Sequence, residues 1–306
     1  MLRLKSLDEA LEIFKALGSD IRTDIVRILI DEGPMNMNEL AGRLDITNGA
    51  LTSHIRKLTE AGLITVRGET SGHGNQKICT VDIDKILVEV QAEKVEEESY
   101  TADIRVGQYS DYNVSGACGL ATSEGIIGEV DDPRFFSHPE HYNSDALWFE
   151  NGYIEYVIPN LLPEGASFDE IVLSMEAGDL VNNNEKAEKI PAEIRFLLNG
   201  VDLGKWLSPG YVGSAKGIFT PSWWSPKWEQ HGLLKMLVIN HNGTFIDGLK
   251  ISATKIDSFN FDSSSVVKLR METANDSGCG FAIYGRCFGN YNQDIDVKVV
   301  FSGKNK

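Results

Sequence analysis

The pattern of apolar and polar positions changes near residue 100. Before that point, apolar residues recur every three or four positions, which predicts amphipathic helices. Four such stretches lie between residues 6 and 62, and each follows a residue that is suited to capping a helix: Ser6, Ser19, Asn36 and Thr47. After residue 100, short alternating runs between Gly, Asn, Asp and Pro residues predict β-strands. The pattern therefore predicts two domains of different class.

The stretch from Thr47 to Leu58 has two contrasting faces when it is read as a helix. Leu51, Ile55 and Leu58 form an apolar stripe that suits a core. The candidate DNA-contacting residues are Asn48, Gly49, Thr52, Ser53, Arg56 and Lys57. Short hydroxyls and amides can reach base edges in the major groove, and Arg can bond bidentately to guanine. For this helix alone, an ordinary solvated face is the alternative interpretation.

The neighbouring segments favour DNA binding. A short helix that begins after Asn36, and the three-residue turn behind it, lead into that polar-faced helix, as in a helix-turn-helix. Two alternating runs follow at 63–67 and 77–81, with a Gly-rich polar loop at 68–76 between them. These runs predict a two-stranded wing along the DNA backbone or minor groove. Its expected phosphate contacts are Arg67, His73, Asn75 and Lys77.

The stretch from Ala16 to Val81 resembles the ArsR-type winged-helix repressors. The segments that carry the resemblance are 16–22, 28–29, 39–44, 53–58 and 60–64. The resemblance implies a homodimer on a near-palindromic operator of double-stranded DNA, with recognition helices in successive major grooves. Metal-sensing members carry a cysteine pair near the start of the third helix, where this chain has Met35-Asn36-Met37-Asn38. Metal sensing at this position is therefore not expected, and no cofactor is expected.

Residues 83–99 are expected to connect the two domains. Ile83, Ile86, Leu87 and Val90 lie on one face of a predicted helix, and an acidic run follows it. In the family that the chain resembles, a helix at this place joins helix 1 in the dimer interface. The alternative is that this helix packs on its own wing. The expected organisation is a winged helix-turn-helix at 1–82, a linker and dimerisation helix at 83–99, and a β-sandwich at 100–306.

About eight to ten short strands are predicted over the last ~200 residues. The clearest runs are 153–158, 170–175, 193–198, 233–240, 249–253, 266–271, 281–284 and 297–301. Asn199-Gly200, Asn242-Gly243 and Asp247-Gly248 are dipeptides typical of tight turns, while 159–168 and 204–230 are expected to be long loops. The predicted fold class is multidomain α+β, with an N-terminal winged helix-turn-helix and a C-terminal antiparallel β-sandwich of jelly-roll type.

An aromatic-rich loop is the candidate ligand site. Within 23 residues it contains Trp206, Tyr211, Trp223, Trp224 and Trp228. Pyranose rings present C–H faces that stack on indoles, while their hydroxyls need polar partners. Outside the loop, the segment Asp131-Asp132-Pro133-Arg134-Phe135-Phe136 and Trp148 supply further candidates for this site, and Asp132, Arg134 and Trp148 are selected from them. The alternative is that the tryptophans only pin long loops to the sandwich.

Two resemblances favour a sugar as the ligand. The segment 196–204 resembles the strand-turn-strand of carbohydrate-binding β-sandwiches that are appended to glycosidases. The whole chain resembles a group of bacterial regulators that join an ArsR-type head to such a sandwich. The segments that carry this resemblance are 132–134, 208–210, 221–224 and 288–295. It implies a small-molecule effector related to a sugar, without identifying it.

The net charge of −16 is unevenly distributed along the chain. Residues 1–80 hold 10 Lys and Arg against 11 Asp and Glu, whereas residues 81–306 hold 19 against 34. Between residues 43 and 67 the local balance is positive. Salt screens charges that lie more than a Debye length, ~10 Å, apart, so phosphate attraction is local. The acidic remainder weakens non-specific DNA binding without excluding specific binding.

Composition argues against disulfide bonds, zinc sites and membrane insertion. The four cysteines lack C-x-x-C spacing and are expected to be buried thiols: Cys79, Cys118, Cys279 and Cys287. No apolar run approaches the ~20 residues that span a bilayer, and no leader pattern is visible, so a cytoplasmic protein with no membrane partner is expected.

Two constellations are weaker candidates for chemistry. His138-Pro139-Glu140-His141 and Asp145 offer metal ligands, but the proline prevents a regular helix, and no metal is expected. Asp132, Glu155 and Asp294 are carboxylates of the kind that glycosidases use, but no spacing selects a pair, so an enzyme is not expected.

The leading hypothesis is a dimeric regulator whose winged helix binds operator DNA and whose sandwich senses a small molecule, with a carbohydrate as the expected class. One alternative is a carbohydrate-binding or glycoside-processing protein with an appended DNA-binding head. Another is a regulator whose sandwich binds a protein.

Overall fold

The computed structural model describes residues 2–4, 6–71, 74–81, 83, 86–88, 98–180, 191–209, 216–273 and 280–303. The chain divides into two compact units, Met1–Lys94 and Val95–Lys306. Each unit has its own apolar core. Among the described residues, none of the helices is both long and apolar enough to cross a membrane.

The N-terminal unit contains four α-helices in its described part. They are α1 (Leu7–Leu17), α2 (Asp20–Glu32), α3 (Met37–Arg43) and α4 (Asn48–Glu60). Their apolar stripes meet in one core, which includes Ile13, Ile25 and Leu40. The predicted stripe of α4 is buried completely or nearly so, since Leu51, Ile55 and Leu58 are 0%, 5% and 0% exposed.

Three of the four predicted capping residues close their helices with side-chain hydrogen bonds. The Ser6 hydroxyl accepts from the backbone N–H of Glu9, and the Thr47 hydroxyl accepts from that of Ala50. Asn36 and Glu39 form a reciprocal capping box at the start of α3. Ser19 precedes α2 as predicted but makes no capping hydrogen bond with its side chain.

The predicted wing is present as an antiparallel hairpin. Its strands are β3 (Thr65–Ser71) and β4 (Gly74–Thr80), so they extend into the region where a longer loop was expected. A short strand β2 (Met35–Asn36) pairs with β4 and makes a third strand that the sequence pattern does not reveal. This pairing ties the start of α3 to the wing.

The prediction of a helix from Ile83 to Val90 is wrong for the residues that the structure describes as an element, Ile86–Val88. Ile86–Val88 form a strand, β5, that pairs in parallel with β1 (Leu2–Leu4) at the start of the chain. Helical spacing and β-branched composition compete in this segment, and a partner strand more than eighty residues away decides the outcome. The segment 86–88 therefore pairs within the N-terminal unit and is not a dimerisation helix.

The C-terminal unit is antiparallel β throughout its described sheet. Its strands are β6 (Glu98–Ile104), β7 (Asp111–Ala121), β8 (Ala146–Ile158), β9 (Ser167–Leu180), β10 (Glu193–Leu198), β11 (Val201–Leu207), β12 (Leu233–Asn240), β13 (Gly243–Ile246), β14 (Leu249–Ser252), β15 (Val267–Thr273), β16 (Gly280–Tyr284) and β17 (Ile295–Ser302). All eight predicted strands are present, and the predicted α+β class is confirmed.

Two long strands, β8 and β9, organise this sheet. One edge of β8 pairs with β7, and its other edge pairs with β15 and then with β16. One edge of β9 pairs with β12, and its other edge pairs with β17 and then with β16. Because β16 pairs with both β8 and β9, these two strands belong to one continuous sheet. That sheet approaches a closed barrel.

Two of the three predicted tight turns fall where the sequence predicts them, whereas the turn expected at Asn242-Gly243 lies one residue earlier, because Gly243 pairs with Asn240 as the first residue of β13. Asn199 and Gly200 have φ angles of 45° and 78°, and Asp247 and Gly248 have φ angles of 50° and 80°. Positive φ at both central positions is the requirement of a two-residue hairpin turn, and Asn, Asp and Gly tolerate it best.

Candidate nucleic-acid interface and tryptophan pocket

The polar face of α4 is exposed along its whole length. All six of its candidate contacts are exposed: Asn48, Gly49, Thr52, Ser53, Arg56 and Lys57. Because the opposite side of α4 is anchored in the core, this face is presented to solvent on a fixed support. The helix therefore has the shape and the donor groups that major-groove recognition requires.

Local hydrogen bonds hold part of this face in place. The Asn48 amide donates to the side-chain oxygen of Asn38 on α3 at 2.8 Å, which links the two helices of the helix-turn-helix. The Thr52 hydroxyl donates to the backbone oxygen of Asn48. Arg56 lies 3.7 Å from the Glu60 carboxylate, with both side chains more than 65% exposed. Such a loose, exposed ion pair stabilises little, so the guanidinium can exchange it for a base or phosphate.

The wing contributes two described cationic candidates. Arg67 on β3 is half-buried, and Lys77 on β4 is exposed. Asn75 lies in the backbone of β4, but its side chain is outside the described part, as is the whole of His73. The positions of Arg67 and Lys77 on the hairpin are consistent with phosphate contacts.

Three of the predicted ligand residues meet in the C-terminal unit. Trp148, Trp224 and Trp228 have ring centroids 5.5, 4.7 and 6.4 Å apart. The plane of Trp224 is inclined by 81° and 71° to those of Trp148 and Trp228, which are inclined to each other by 39°. Trp148 comes from β8, whereas the other two come from the long loop before β12. The predicted aromatic cluster therefore exists, although it combines a strand with the loop.

These three rings line a cavity of about 160 Å³, which is called the tryptophan pocket below. The described residues that line it are Ala117, Val130, Asp131, Ala146, Leu147, Trp148, Leu180, Trp224, Trp228, Glu229, Ala282 and Tyr284. Trp148 and Trp224 are only 9% and 7% exposed, so they also serve as core residues. The structure thus supports both interpretations of these tryptophans, as a ligand contact and as packing.

A glycine on β7 makes room for the indole of Trp148. Gly119 pairs with Trp148 across β7 and β8, and a Cβ atom at Gly119 would lie 2.2 Å from the indole ring. Any larger residue at this position would force the ring out of place. Gly119 therefore sets the position of one wall of the pocket.

A buried carboxylate supports the pocket from behind. Glu176 accepts backbone N–H groups from Gly232, Asn290 and Tyr291, at 2.8 to 3.0 Å. Burial raises the pKa of Glu176 to about 8, against the lowering effect of these N–H donors. The loop that it anchors carries Phe288, whose ring packs 5.0 Å from that of Trp224. Glu176 therefore acts as a positioning residue for this aromatic wall.

The pocket is electrostatically negative. Burial raises the pKa of Tyr284 well above its ordinary value, and the nearby carboxylates Glu229, Glu176 and Asp179 raise it further. Two of the residues that line the pocket are acidic, Asp131 and Glu229, and none of the described lining residues is basic.

The remaining predicted ligand residues lie elsewhere or play other roles. Trp223 contacts Trp224 and donates its indole N–H to the Ser123 carbonyl, but it does not line the cavity in the described structure. Trp206 lies on β11, where its ring covers Lys235 at 5.1 Å. Its inclusion in this site is therefore wrong. Tyr211 lies outside the described residues.

Asp132 and Arg134 pair with each other instead of lining the cavity. The guanidinium donates to both carboxylate oxygens, at 2.6 to 3.0 Å, and these bonds hold the pKa of Asp132 below its ordinary value. Asp132 also caps a 3-10 turn, Pro133–Ser137. The neighbouring Asp131 lines the pocket instead, a one-residue difference that the turn geometry decides.

The weaker candidates have structural partners. His138 caps the 3-10 turn Pro139–Asn143, and His141 bonds the Gly107 carbonyl and stacks on Tyr109 at 4.5 Å. Glu155 is held by Lys268 and Arg270. Of the cysteines, Cys79 and Cys118 are buried as expected, but Cys287 is exposed because it lies in the turn after β16. Cys279 lies outside the described residues.

Sequence reasoning missed Glu229 and Tyr284 as lining residues, and it named Asp131 only within the candidate segment 131–136 without selecting it. Tyr284 ends a buried strand, and nothing local distinguishes it from a core tyrosine. Asp131 has a φ angle of 61°, a left-handed conformation that an acidic residue in a turn adopts readily. Glycines inside strands, such as Gly119 on β7 and Gly178 on β9, are an available signal of a close approach to this site.

Comparison with known proteins bears on the N-terminal unit. Residues 19–65 match the family described as winged helix-turn-helix DNA-binding. Among solved structures, reduced HlyU from Vibrio cholerae N16961 is similar over 24% of this chain and 73% of that chain, with 27% identity and a TM-score of 0.22. A TM-score that low carries no functional weight. No curated protein matches the chain.

The matched segment contains α2, α3 and α4 and reaches the start of the wing. Its geometry and its family match agree. The N-terminal unit therefore contains a winged helix-turn-helix of a DNA-binding type.

Proposed function

We propose that the protein is a ligand-responsive transcription regulator. The observation that carries this proposal is the fully exposed polar face of α4 on a buried apolar stripe, within a segment that matches a DNA-binding family. Its winged helix binds operator DNA, and its β-sandwich senses a small molecule. The match covers only residues 19–65, so the sensing role rests on the tryptophan pocket.

The DNA-binding part is tested with the purified full-length chain and a duplex from its own promoter region. We expect it to bind this duplex more tightly than a random duplex at moderate salt, with affinity that falls as salt rises. Arg56→Ala should lose about 1–3 kcal/mol of discrimination between the two duplexes. Arg195→Ala, which removes one exposed cation from the C-terminal unit, is the matched control.

Two results would contradict this assignment. Equal affinity of the wild-type chain for promoter and random duplex would remove the regulatory role. Unchanged discrimination in Arg56→Ala would instead show that α4 is not the reading helix.

For the sensing role, we assign a sugar to the tryptophan pocket as its ligand. Inclined indole faces offer stacking surfaces for a pyranose, and Asp131 and Glu229 offer hydrogen-bond acceptors for its hydroxyls. A panel of monosaccharides, followed by tryptophan fluorescence, is the test. We expect Trp228→Ala to weaken the response, because Trp228 is only half-buried and can be truncated with the least loss of packing. A wild-type chain that responds to no sugar would remove this assignment.

The regulator is proposed to act as a homodimer. On α1, Leu7, Leu11 and Phe14 lie on one face and are 48%, 46% and 47% exposed. A second copy of the chain that packs against this stripe would cover it and place two α4 helices on half-sites about 34 Å apart. Phe14→Glu should then produce monomers in sedimentation velocity, whereas Lys15→Glu, next to it, should not. A monomeric wild-type chain would contradict this proposal.

Coupling between effector binding and operator binding must be reciprocal. An effector that changes operator affinity by some factor must have its own affinity changed by the same factor when operator is bound. Titrating the effector with and without operator measures this factor. Identical effector affinities in the two titrations would show binding without regulation.

A further inference from the structure

The charge of the tryptophan pocket restricts which sugar it can take. Its lining includes two carboxylates, Asp131 and Glu229, and no described Lys, Arg or His. The carboxylates of Glu229 and Asp179 also act electrostatically on Tyr284 in the pocket wall. An anionic ligand would meet like charge here, whereas a cation would be attracted in a partly desolvated site.

The aromatic walls add to this preference. The planes of Trp148 and Trp224 are inclined by 81°, and those of Trp224 and Trp228 by 71°. A ring face carries negative π-density and attracts a cation within about 6 Å of its centroid, with tryptophan the strongest of the aromatic residues. Inclined tryptophans and two carboxylates on one cavity are the combination that stabilises an ammonium group.

The size of the cavity restricts the ligand further. Its volume of about 160 Å³ is close to that of a cavity that binds benzene, roughly 150 Å³, so a pyranose with its ring substituents is the largest unit that it can take. A disaccharide exceeds this volume and would have to leave one unit in solvent. The pocket therefore suits one ring or the end of a chain.

We propose that the tryptophan pocket binds a single pyranose ring that carries a protonated amine, an amino sugar, in preference to neutral or acidic sugars. The ammonium group lies between the tryptophan faces and the carboxylates of Asp131 and Glu229, while the ring stacks on an indole. This inference rests on the proposed sugar-sensing function and names the class of its effector.

The test uses ligands that differ in charge on the same ring. Glucosamine, glucose, N-acetylglucosamine and glucuronate are titrated into the full-length chain and followed by calorimetry and tryptophan fluorescence. We expect glucosamine to bind about tenfold more tightly than glucose, which corresponds to a cation–π and charge contribution of the usual size. N-acetylglucosamine, whose nitrogen is an uncharged amide, should bind no more tightly than glucose, and glucuronate should bind most weakly.

Conservative variants test the two carboxylates. Glu229→Gln and Asp131→Asn keep the size of each side chain, and an asparagine tolerates the left-handed conformation at position 131. The amide of the Asp131→Asn variant would retain an oxygen that can accept the Cys118 backbone N–H, as Asp131 does at 3.1 Å. Each variant should weaken glucosamine binding by a larger factor than glucose binding, because it removes a charge as well as an acceptor, and should therefore reduce the preference for glucosamine severalfold. Glu164→Gln, in an exposed loop outside the pocket, is the matched charge control and should have no effect.

The outcomes separate this inference from the proposed function. If glucose or glucuronate binds as tightly as glucosamine, the amino-sugar inference is overturned while sugar sensing stands. An unchanged glucosamine preference in both carboxylate variants also overturns it. If none of the four sugars binds, the inference and the sugar-sensing proposal both fail, and promoter binding, measured separately, still tests the DNA-binding role.

Discussion

The polar face of α4 and the tryptophan pocket present their side chains in opposite ways. On α4, all six candidate contacts come from one helix of 13 residues and stand in solvent, and only the opposite stripe is buried. In the pocket, the aromatic side chains come from β8, from β16 and from the loop before β12, and most are nearly inaccessible.

On the α4 face, a substitution should therefore affect binding without affecting stability. In the tryptophan pocket, a substitution should affect both. A residue on the α4 face makes few contacts within its own chain, so its truncation removes a partner contact and little else. A pocket tryptophan packs on other rings, so its truncation also leaves a cavity. The predictions below test this separation, from the largest expected effect to the smallest.

Truncation of Trp224 should have the largest effect on stability. Trp224 is 7% exposed and contacts Trp148, Trp228 and Phe288. Trp224→Ala should therefore lower the free energy of unfolding by about 3–5 kcal/mol, measured by urea denaturation followed by circular dichroism. Trp223→Ala is the control, because Trp223 is 37% exposed and should cost clearly less. Equal losses in the two variants would mean that the pocket wall is not part of the core.

Adjacent residues on α4 should separate stability from recognition. Leu51 is fully buried, and Leu51→Ala should lower the free energy of unfolding by about 2–5 kcal/mol. Thr52 is exposed, and Thr52→Ala should change stability by less than about 0.5 kcal/mol while it reduces operator discrimination. Urea denaturation and operator binding are measured on both variants. A stability loss in Thr52→Ala as large as that in Leu51→Ala would contradict the separation of stability from recognition on α4.

Glu176 should make the C-terminal unit less stable as pH rises. Burial raises the pKa of Glu176 in the folded chain to about 8, well above the ordinary value of a glutamate near 4.5. The folded state therefore binds the proton more tightly than the unfolded state. Its stabilising contribution is complete below about pH 4.5 and is lost as pH rises toward 8, by up to about 1.4 kcal/mol per pH unit.

Urea denaturation between pH 5 and 8 measures this slope. Glu176→Gln cannot ionise and should flatten it, although the amide accepts fewer of the backbone N–H groups and lowers stability throughout. Glu164→Gln, at an exposed position, should keep the wild-type slope. A wild-type slope that persists in Glu176→Gln would assign the pH dependence to another group.

Helix capping should give the smallest effect. The Thr47 side chain accepts the Ala50 N–H at the start of α4, and Thr47→Ala should cost about 1 kcal/mol of stability. Ser19 precedes α2 without a side-chain capping bond, so Ser19→Ala should cost less. The two variants are compared by thermal unfolding. A larger loss at Ser19 would show that the capping bond at Thr47 contributes nothing measurable.

Local patterns predicted the elements whose stabilising contacts are local. The apolar stripe of α4, the capping box of Asn36 and Glu39, and the Asn199-Gly200 turn each involve residues within a few positions of one another. The wrong helix at 83–90 shows the limit. Its apolar spacing suits a helix, but β1 lies more than eighty residues away and offers the pairing that is actually made.

The DNA-contact candidates could be predicted as a group because one helix carries most of them. Their exposure follows directly from the burial of Leu51, Ile55 and Leu58 on the other side. The pocket could be predicted only in part, since Trp148, Trp224 and Trp228 were identifiable by type. Glu229 and Tyr284 could not be, and Asp131 could not be told apart from its neighbours in the segment 131–136, because strand pairing and turn geometry bring these residues to the cavity.

The amino-acid sequence by itself determined the change from helical to strand periodicity near residue 100, the turns and the polar face of α4. These features depend on side-chain spacing and backbone preference over a few residues. Only the tertiary structure decided that Trp206 lies away from Trp148, that Asp131 and not Asp132 lines the pocket, and that Ile86–Val88 form a strand. Each of these outcomes depends on contacts between residues far apart in the chain, and no local pattern records which partner will be there.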